Sequence, residues 1–352
     1  MNIALINSAR TWGGTEKWTL MAADALQKRH TVRLIYRRDI VGSRFSIPTH
    51  QLPLTSHIDP YSLARLVALI KKEKIEILIP TKRKDYVLAG IASKLTGIPV
   101  ILRLGADRQL RWPWQRFMYH TLTNGVIVNA EKIKRTLLST GWFPEEKIRV
   151  IYNGIDTAQI DRKKTEPYQK PFPVTVSALG RVTKNKGFDF LIRAFARFQE
   201  NTQAKGIGIV IIGDGEDMQE FRNLAASLGI SDKVIFTGFL QNPYPILRES
   251  DIFAMTSKNE GLPNALLEAM YLHNTPICTP AGGTEEALEN EKEGIMIPYN
   301  DEQALARAIT ELYLNPERRK NIAELAHQRA LRQFSIERMG KELGKFCSEI
   351  IG

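Results

Sequence analysis

The feature that most constrains this chain is a rhythm. Short apolar runs rich in Val and Ile recur along it, and each is followed by a stretch with helical spacing. In the first half, strands are predicted at residues 2–7, 32–36, 75–79, 100–102, 125–128 and 150–152. Helical patterns fall between them, at 16–28, 61–74, 86–95, 114–122 and 131–140. A second series places strands at 174–179, 208–212, 234–236, 252–255, 276–278 and 294–297. Its helices are predicted at 188–198, 218–228, 245–248, 265–271 and 284–288, and beyond Asp301 the pattern is helical to the end. Strand and helix in strict alternation require crossover connections, hence a parallel sheet with helices on both faces. A chain of 352 residues exceeds one such core, and residues 161–173, charged and holding three prolines, read as a connector. The expectation is a domain at 1–165, a second at 166–334 and a terminal helix at 335–352 that packs back on the first.

Composition narrows the function. Two cysteines, Cys278 and Cys347, make no disulfide framework and fit a reducing compartment, and neither has a metal-ligand neighbour at a usual spacing. The first residues lack the basic start of a signal peptide, and no apolar run is long enough to span a membrane. The charge is lopsided: residues 1–165 hold 28 lysines and arginines against 13 acids, while the remainder holds 21 against 25. A basic first half suggests an anionic partner there: nucleic acid, an anionic membrane surface or a phosphorylated substrate.

The second half carries the chemistry. Glu260 and Glu268 bracket Gly261-Leu262-Pro263-Asn264, a turn opening an apolar helix. Pro263 suits the first helical position, and the free N–H groups of that helix start form a site for phosphate. One carboxylate then sits before that site and the other beyond it, so that hydroxyls on both sides of a diphosphate can be held. Arg181 and Lys186 follow a predicted strand, at the strand end where ligands of open α/β sheets bind, and two cations there can neutralise a diphosphate. Loop solvation is the plainer reading of both. Gly213 and Gly215 let backbone approach a ligand, although Gly-Asp-Gly is also ordinary turn chemistry. After Gly238, the backbone of Phe239 and Leu240 can pair with a base edge. The turn at Gly282-Gly283 reads as a structural helix start.

These motifs, in this order and spacing, resemble the retaining, sugar-nucleotide-dependent GT-B glycosyltransferases of family 4 over essentially the whole chain. The resemblance implies an α/β fold of two Rossmann-like domains facing each other across a cleft, with C-terminal helices returning to the first. It implies that Arg181 and Lys186 hold the donor phosphates, that Glu268 binds ribose hydroxyls, and that Glu260 binds the transferred sugar beside Gly261, Leu262, Pro263 and Asn264. Gly13 and Gly14, followed by Glu16, match the family's glycine-rich loop against the donor diphosphate. No metal and no cofactor are expected, since the cations and the helix start do a metal's work, and the co-substrate is a nucleoside-diphosphate sugar, taken as a UDP-sugar. Many relatives carry a His after the strand corresponding to 100–102. Here Arg103-Leu104-Gly105-Ala106-Asp107 stands instead, putting Asp107 near the reacting centre or, equally, in a turn beside Arg108.

The acceptor falls to the basic half. Lys82, Arg83 and Lys84 follow a predicted strand end, and Arg103 is placed to meet an acidic acceptor. The stretch 108–117 interleaves cations with Trp112 and Trp114, a pattern suited to a membrane interface. The helix at 61–74 reads first as an ordinary cover for the sheet. The combined expectation is a peripheral enzyme on the inner face of the cytoplasmic membrane. It would glycosylate a glycan or lipid-linked glycan such as lipopolysaccharide core, without a nucleic-acid partner. A sugar-nucleotide epimerase of the same fold and a basic nucleic-acid-binding protein are the rival readings.

Overall fold

β1 (Asn2–Asn7) is apolar on both faces because strands flank it on both edges and helices cover both sides. The computed structural model describes residues 1–105 and 116–352. Its contacts divide the chain into two units, Met1–Gly154 with Ile336–Gly352, and Ile155–Ser335. In unit 1, β1 pairs in parallel with β2 (Thr31–Tyr36) on one side and β4 (Ile77–Pro80) on the other, with Leu5 opposite Leu34 and Ile79. β3 (Thr49–Gln51) adds a short edge, giving the order β3-β2-β1-β4. β5 (Ile101–Leu104), β6 (Gly125–Val128) and β7 (Ile148–Val150) form a second parallel set, joined to β4 by the bridge Leu78–Val100.

Unit 2 repeats the plan as one six-stranded sheet. It is built from β8 (Val174–Leu179), β9 (Ile207–Ile212), β10 (Val234–Phe236), β11 (Ile252–Met255), β12 (Thr275–Cys278) and β13 (Ile295–Met296). Their order is β10-β9-β8-β11-β12-β13, all parallel. In each unit the first strand sits centrally, the next two extend to one side and the later ones to the other. That is the Rossmann-like order, and it opens a crevice where the direction reverses, between β1 and β4 and between β8 and β11. The α/β architecture expected from the sequence is therefore the one the chain adopts.

The helix Ile336–Ile351 belongs to unit 1. Its apolar stripe, Ile336, Met339, Leu343, Phe346 and Cys347, joins Trp18, Met21 and Leu26 in one buried cluster. Gly340 lets it approach the helix Gly14–Leu26, since a Cβ there would come within 2.7 Å of Ala25 Cβ. Cys278 and Cys347 are buried free thiols, and burial pushes both up.

Several local expectations are corrected. Residues 161–173 do not act as a connector but are stitched to unit 2, where Tyr271 donates to Asp161 at 2.9 Å and Asn242 to the Lys163 carbonyl at 2.8 Å. The units accordingly divide after Gly154, ahead of the break expected at residue 165. β3 was invisible because Thr-His-Gln has no apolar signal, and β7 starts at Ile148, earlier than expected. Of the helix predicted at 114–122, the described part is a π-turn at Phe117–Thr121. Asp107 and the segment 108–115 lie outside the described residues. The helix Pro60–Lys72 covers the sheet with Leu66 and Ile70, and Asp59 caps it through the Ser62 N–H at 3.0 Å.

Candidate active site

In unit 2 the loops leaving β8 and β11 meet at the crevice. The turn Lys184–Lys186 follows β8 and ends at Gly187, whose φ of +65° starts the helix Phe188–Thr202. A Cβ at Gly187 would lie 2.1 Å from the Thr256 carbonyl oxygen, so only glycine lets the two loops close. Thr256 Oγ1 donates to the carbonyls of Lys186 at 3.1 Å and Gly187 at 2.9 Å, and the Lys258 N–H donates to the Asn185 carbonyl at 2.9 Å. The result is a fixed seat for Lys186. Its ammonium reaches across the crevice to Glu260, Nζ to Oε1 2.5 Å, with both side chains largely withdrawn from solvent. Its stem passes over Gly180, where a Cβ would stand 3.3 Å from Lys186 Cε. Arg181 is exposed beside it and makes no ion pair among the described residues.

The far wall is the helix Asn264–Tyr271. Pro263 is its N-cap, with φ −80° and ψ 120°, rather than its first helical residue as expected. From that position the Pro263 carbonyl accepts from the N–H groups of Leu266 at 3.2 Å and Leu267 at 3.4 Å. Gly261, Leu262 and Pro263 are buried, and Asn264 is half-buried. Glu268 sits in the helix with 3% of its surface exposed. Gly282, at φ +63°, packs beneath this loop: a Cβ there would lie 1.9 Å from the Glu260 carbonyl oxygen, and the Gly283 N–H donates to the Gly261 carbonyl at 2.8 Å. The glycine turn read as structural is the backing of the carboxylate loop.

Gly213 ends β9 at φ +140°, and a Cβ would meet the Gly180 carbonyl oxygen at 1.9 Å. At Gly215 it would meet the Val182 carbonyl oxygen at 2.1 Å. These glycines let the loops after β8 and β9 interlock, through Val182 N–H to the Asp214 carbonyl at 2.9 Å. Their role in the ligand-free chain is this close packing. Phe239 follows Gly238 and leaves 63% of its surface exposed, with Leu240 half-buried beside it. A bare aromatic ring at a strand end is a surface on which a base can lie.

In unit 1, Gly13 caps the helix Gly14–Leu26 in an extended conformation, and both glycines are exposed. Glu16, one turn in, is buried and holds Lys82, Nζ to Oε1 2.6 Å, so Lys82 is already engaged by an acid of its own unit. Arg83 and Lys84 begin the helix Arg83–Thr96. Burial, together with the charges of Arg37 and Arg10, holds Lys84 below the usual lysine range. Asp85 is buried and accepts the Ser8 N–H at 2.9 Å; burial pushes it up to about 6, against the Ser8 hydrogen bonds and the nearby lysines. Arg103, expected to meet an acidic acceptor, is 5% exposed, its guanidinium stacked 4.7 Å from the Trp18 ring. Burial lowers it to about 10, with Tyr86 and Glu16 opposing.

Of the residues singled out in the sequence, the structure brings Lys186 and Glu260 into contact and sets Lys82, Arg83 and Lys84 at the start of one helix in unit 1. The sequence reading missed Thr256, Asp85 and the Glu16–Lys82 pair. Thr256 and Asp85 carry no motif, and only the sheet order brings each against its partners.

Comparisons with known proteins fit this geometry. Residues 158–329 match the family model Glycosyl transferases group 1, and residues 12–159 match Glycosyltransferase Family 4. The lipopolysaccharide core biosynthesis glycosyltransferase LpsE of Rhizobium meliloti (strain 1021) is 29% identical over 335 residues, 92% of this chain and 93% of LpsE. An Escherichia coli enzyme, UDP-Gal:alpha-D-GlcNAc-diphosphoundecaprenol alpha-1,3-galactosyltransferase, is 25% identical over 75% of this chain and 73% of its own. The crystal structure of Anabaena Alr3699/HepE in complex with UDP superposes with a TM-score of 0.84 at 19% identity. It covers 99% of this chain and 100% of that one.

Proposed function

We propose that this chain, which belongs to the GT-B glycosyltransferases of family 4, moves a hexose-type sugar from a UDP-sugar to a lipid-linked or lipopolysaccharide-core glycan. The observation that carries the donor reading is the Lys186–Glu260 pair at 2.5 Å over the switch point of unit 2, beside the start of the helix Asn264–Tyr271. A diphosphate seated there meets Lys186, Arg181 and the positive end of that helix. All of these grow stronger as charge builds on the departing UDP. Glu260 is then free to take a hydroxyl of the transferred sugar, and Glu268 takes the ribose. Phe239 and Leu240 flank the base.

The reaction breaks the bond between the anomeric carbon and the phosphate and forms one to an acceptor oxygen on the same face. The acceptor proton passes to the leaving phosphate oxygen, so the configuration is retained without a side-chain nucleophile. Lys186 in its fixed seat and Arg181 beside it supply the charge that a metal would otherwise supply, and transfer is expected to proceed without metal or cofactor. The acceptor reading draws on the basic first half and on Arg83, Lys84 and Arg103. The names of the relatives above, a lipopolysaccharide-core enzyme and one acting on a diphosphoundecaprenol sugar, point the same way. We place the enzyme in the cytoplasm, on the inner face of the cytoplasmic membrane. No helix among the described residues is long and apolar enough to cross one, and Tyr61 is exposed on the helix that ends in Lys71-Lys72.

Thermal unfolding with UDP, with chelator present, tests the donor site. A rise in melting temperature that Lys186→Ala abolishes is expected. In transfer assays Lys186→Ala or Glu268→Ala should lower kcat/KM at least about tenfold, about 1.4 kcal/mol. Near-normal kinetics in both folded variants would refute the assignment.

A further inference from the structure

A hollow of about 380 Å³ opens at the carboxyl ends of β1, β4 and β5, wholly within unit 1, with Ser8, Thr15, Lys84, Arg103 and Gly105 in its walls. Three independent features make it a built site. Arg103 is 95% withdrawn from solvent, since only 5% of it is exposed, yet its Nε has no hydrogen-bond partner and no acid pairs with its guanidinium among the described residues. A buried charge without a counterion is costly unless something supplies one. The guanidinium lies directly over Gly105, where a Cβ would stand 2.0 Å from Arg103 Nη1, so a side chain there would displace the charge from its present place. The nearby acid Glu16 is taken by Lys82 at 2.6 Å.

The second feature is a broken local rule. Lys82, Arg83 and Lys84 crowd the start of the helix Arg83–Thr96, where the helix dipole repels cations, and Arg10 and Arg37 add to the same field. Asp85, the acid of that turn, is directed at the Ser8 N–H instead. The third is position, for this is the switch point of the unit 1 sheet, where open α/β sheets receive ligands.

We propose that this hollow binds an anionic group of the acceptor, a sugar phosphate or a sugar carboxylate, between Arg103 and Lys84. The inference rests on the acceptor reading above and gives it a chemical class. The anion supplies Arg103 with the counterion that no described residue gives it and relieves the repulsion at the helix start. Lys82 is held back by Glu16 and shapes the wall.

The test is calorimetric titration of the full chain with glucose 6-phosphate, glucuronate and glucose, with UDP titrated separately. Saturable binding of one or both charged sugars and none of glucose is expected; whichever charged sugar binds distinguishes phosphate from carboxylate. Lys84→Ala should weaken that binding at least about tenfold, the loss of one charge-assisted contact. Arg103→Gln should do the same, and both variants should bind UDP as the parent does. Should Arg103→Gln fail to fold, Lys84→Ala decides. Absence of binding by either charged sugar, indifference to Lys84→Ala, or loss of binding in Lys186→Ala instead would overturn the inference. Failure of the donor reading is read separately, as absence of UDP binding by the parent chain.

Discussion

At the scale of residues, the proposed donor site holds a competitor for its own ligand. Lys186 and Glu260 neutralise each other at 2.5 Å, and a diphosphate must displace the carboxylate to reach the ammonium. The pair is poised rather than strongly stabilising, because taking two charges partly out of water offsets much of their attraction. Glu260→Gln removes the competitor and leaves a hydrogen-bonding side chain. UDP affinity measured by calorimetry should therefore rise about threefold or more, of the order of the strength of one partly exposed ion pair, while transfer falls. Weaker UDP binding would show that the pair supports the site instead. Both carboxylates were legible from the spacing of the motif. The pair itself was not, since residues 186 and 260 meet only because β8 and β11 are neighbours in the sheet.

At the scale of elements, the loops and caps decide geometry. Asp85 opens the helix Arg83–Thr96 from a buried position, and burial raises it to about 6. Between about pH 4, where an unfolded aspartate titrates, and that value, the folded chain holds a proton that the unfolded chain has lost. Stability contributed by this group is present below the unfolded pKa and declines as pH rises towards 6. Asp85→Asn should remove that decline. Its unfolding free energy in urea, relative to the parent, should improve from pH 4.5 to pH 7, and an unchanged difference would contradict the burial argument. Helix positions such as Asn264–Tyr271 were legible from periodicity, whereas β3 and the turn at Asp39–Gly42 were not, being short and stabilised by their neighbours.

At the scale of the whole molecule, the final helix closes unit 1. Ile336, Met339, Leu343 and Phe346 bury apolar surface worth about 1.5–3 kcal/mol per side chain in the cluster that includes Trp18. Leu343→Ala should cost about 2–5 kcal/mol in denaturant unfolding. Deleting 336–352 should leave unit 1 unable to fold, since the loss rivals the whole stability of a typical domain. A soluble, cooperatively unfolding truncation would disprove this. The sequence by itself determined the α/β alternation, the Glu260–Glu268 phrase, the cations after the first strand of unit 2 and the charge asymmetry, because these depend on local periodicity and spacing. Only the tertiary structure decided that residues 161–173 belong to unit 2, that Lys82 serves Glu16 and that Arg103 is buried with no acid paired to it among the described residues. Each of those facts is a contact between segments far apart in the chain, set by strand order and packing rather than by any local pattern.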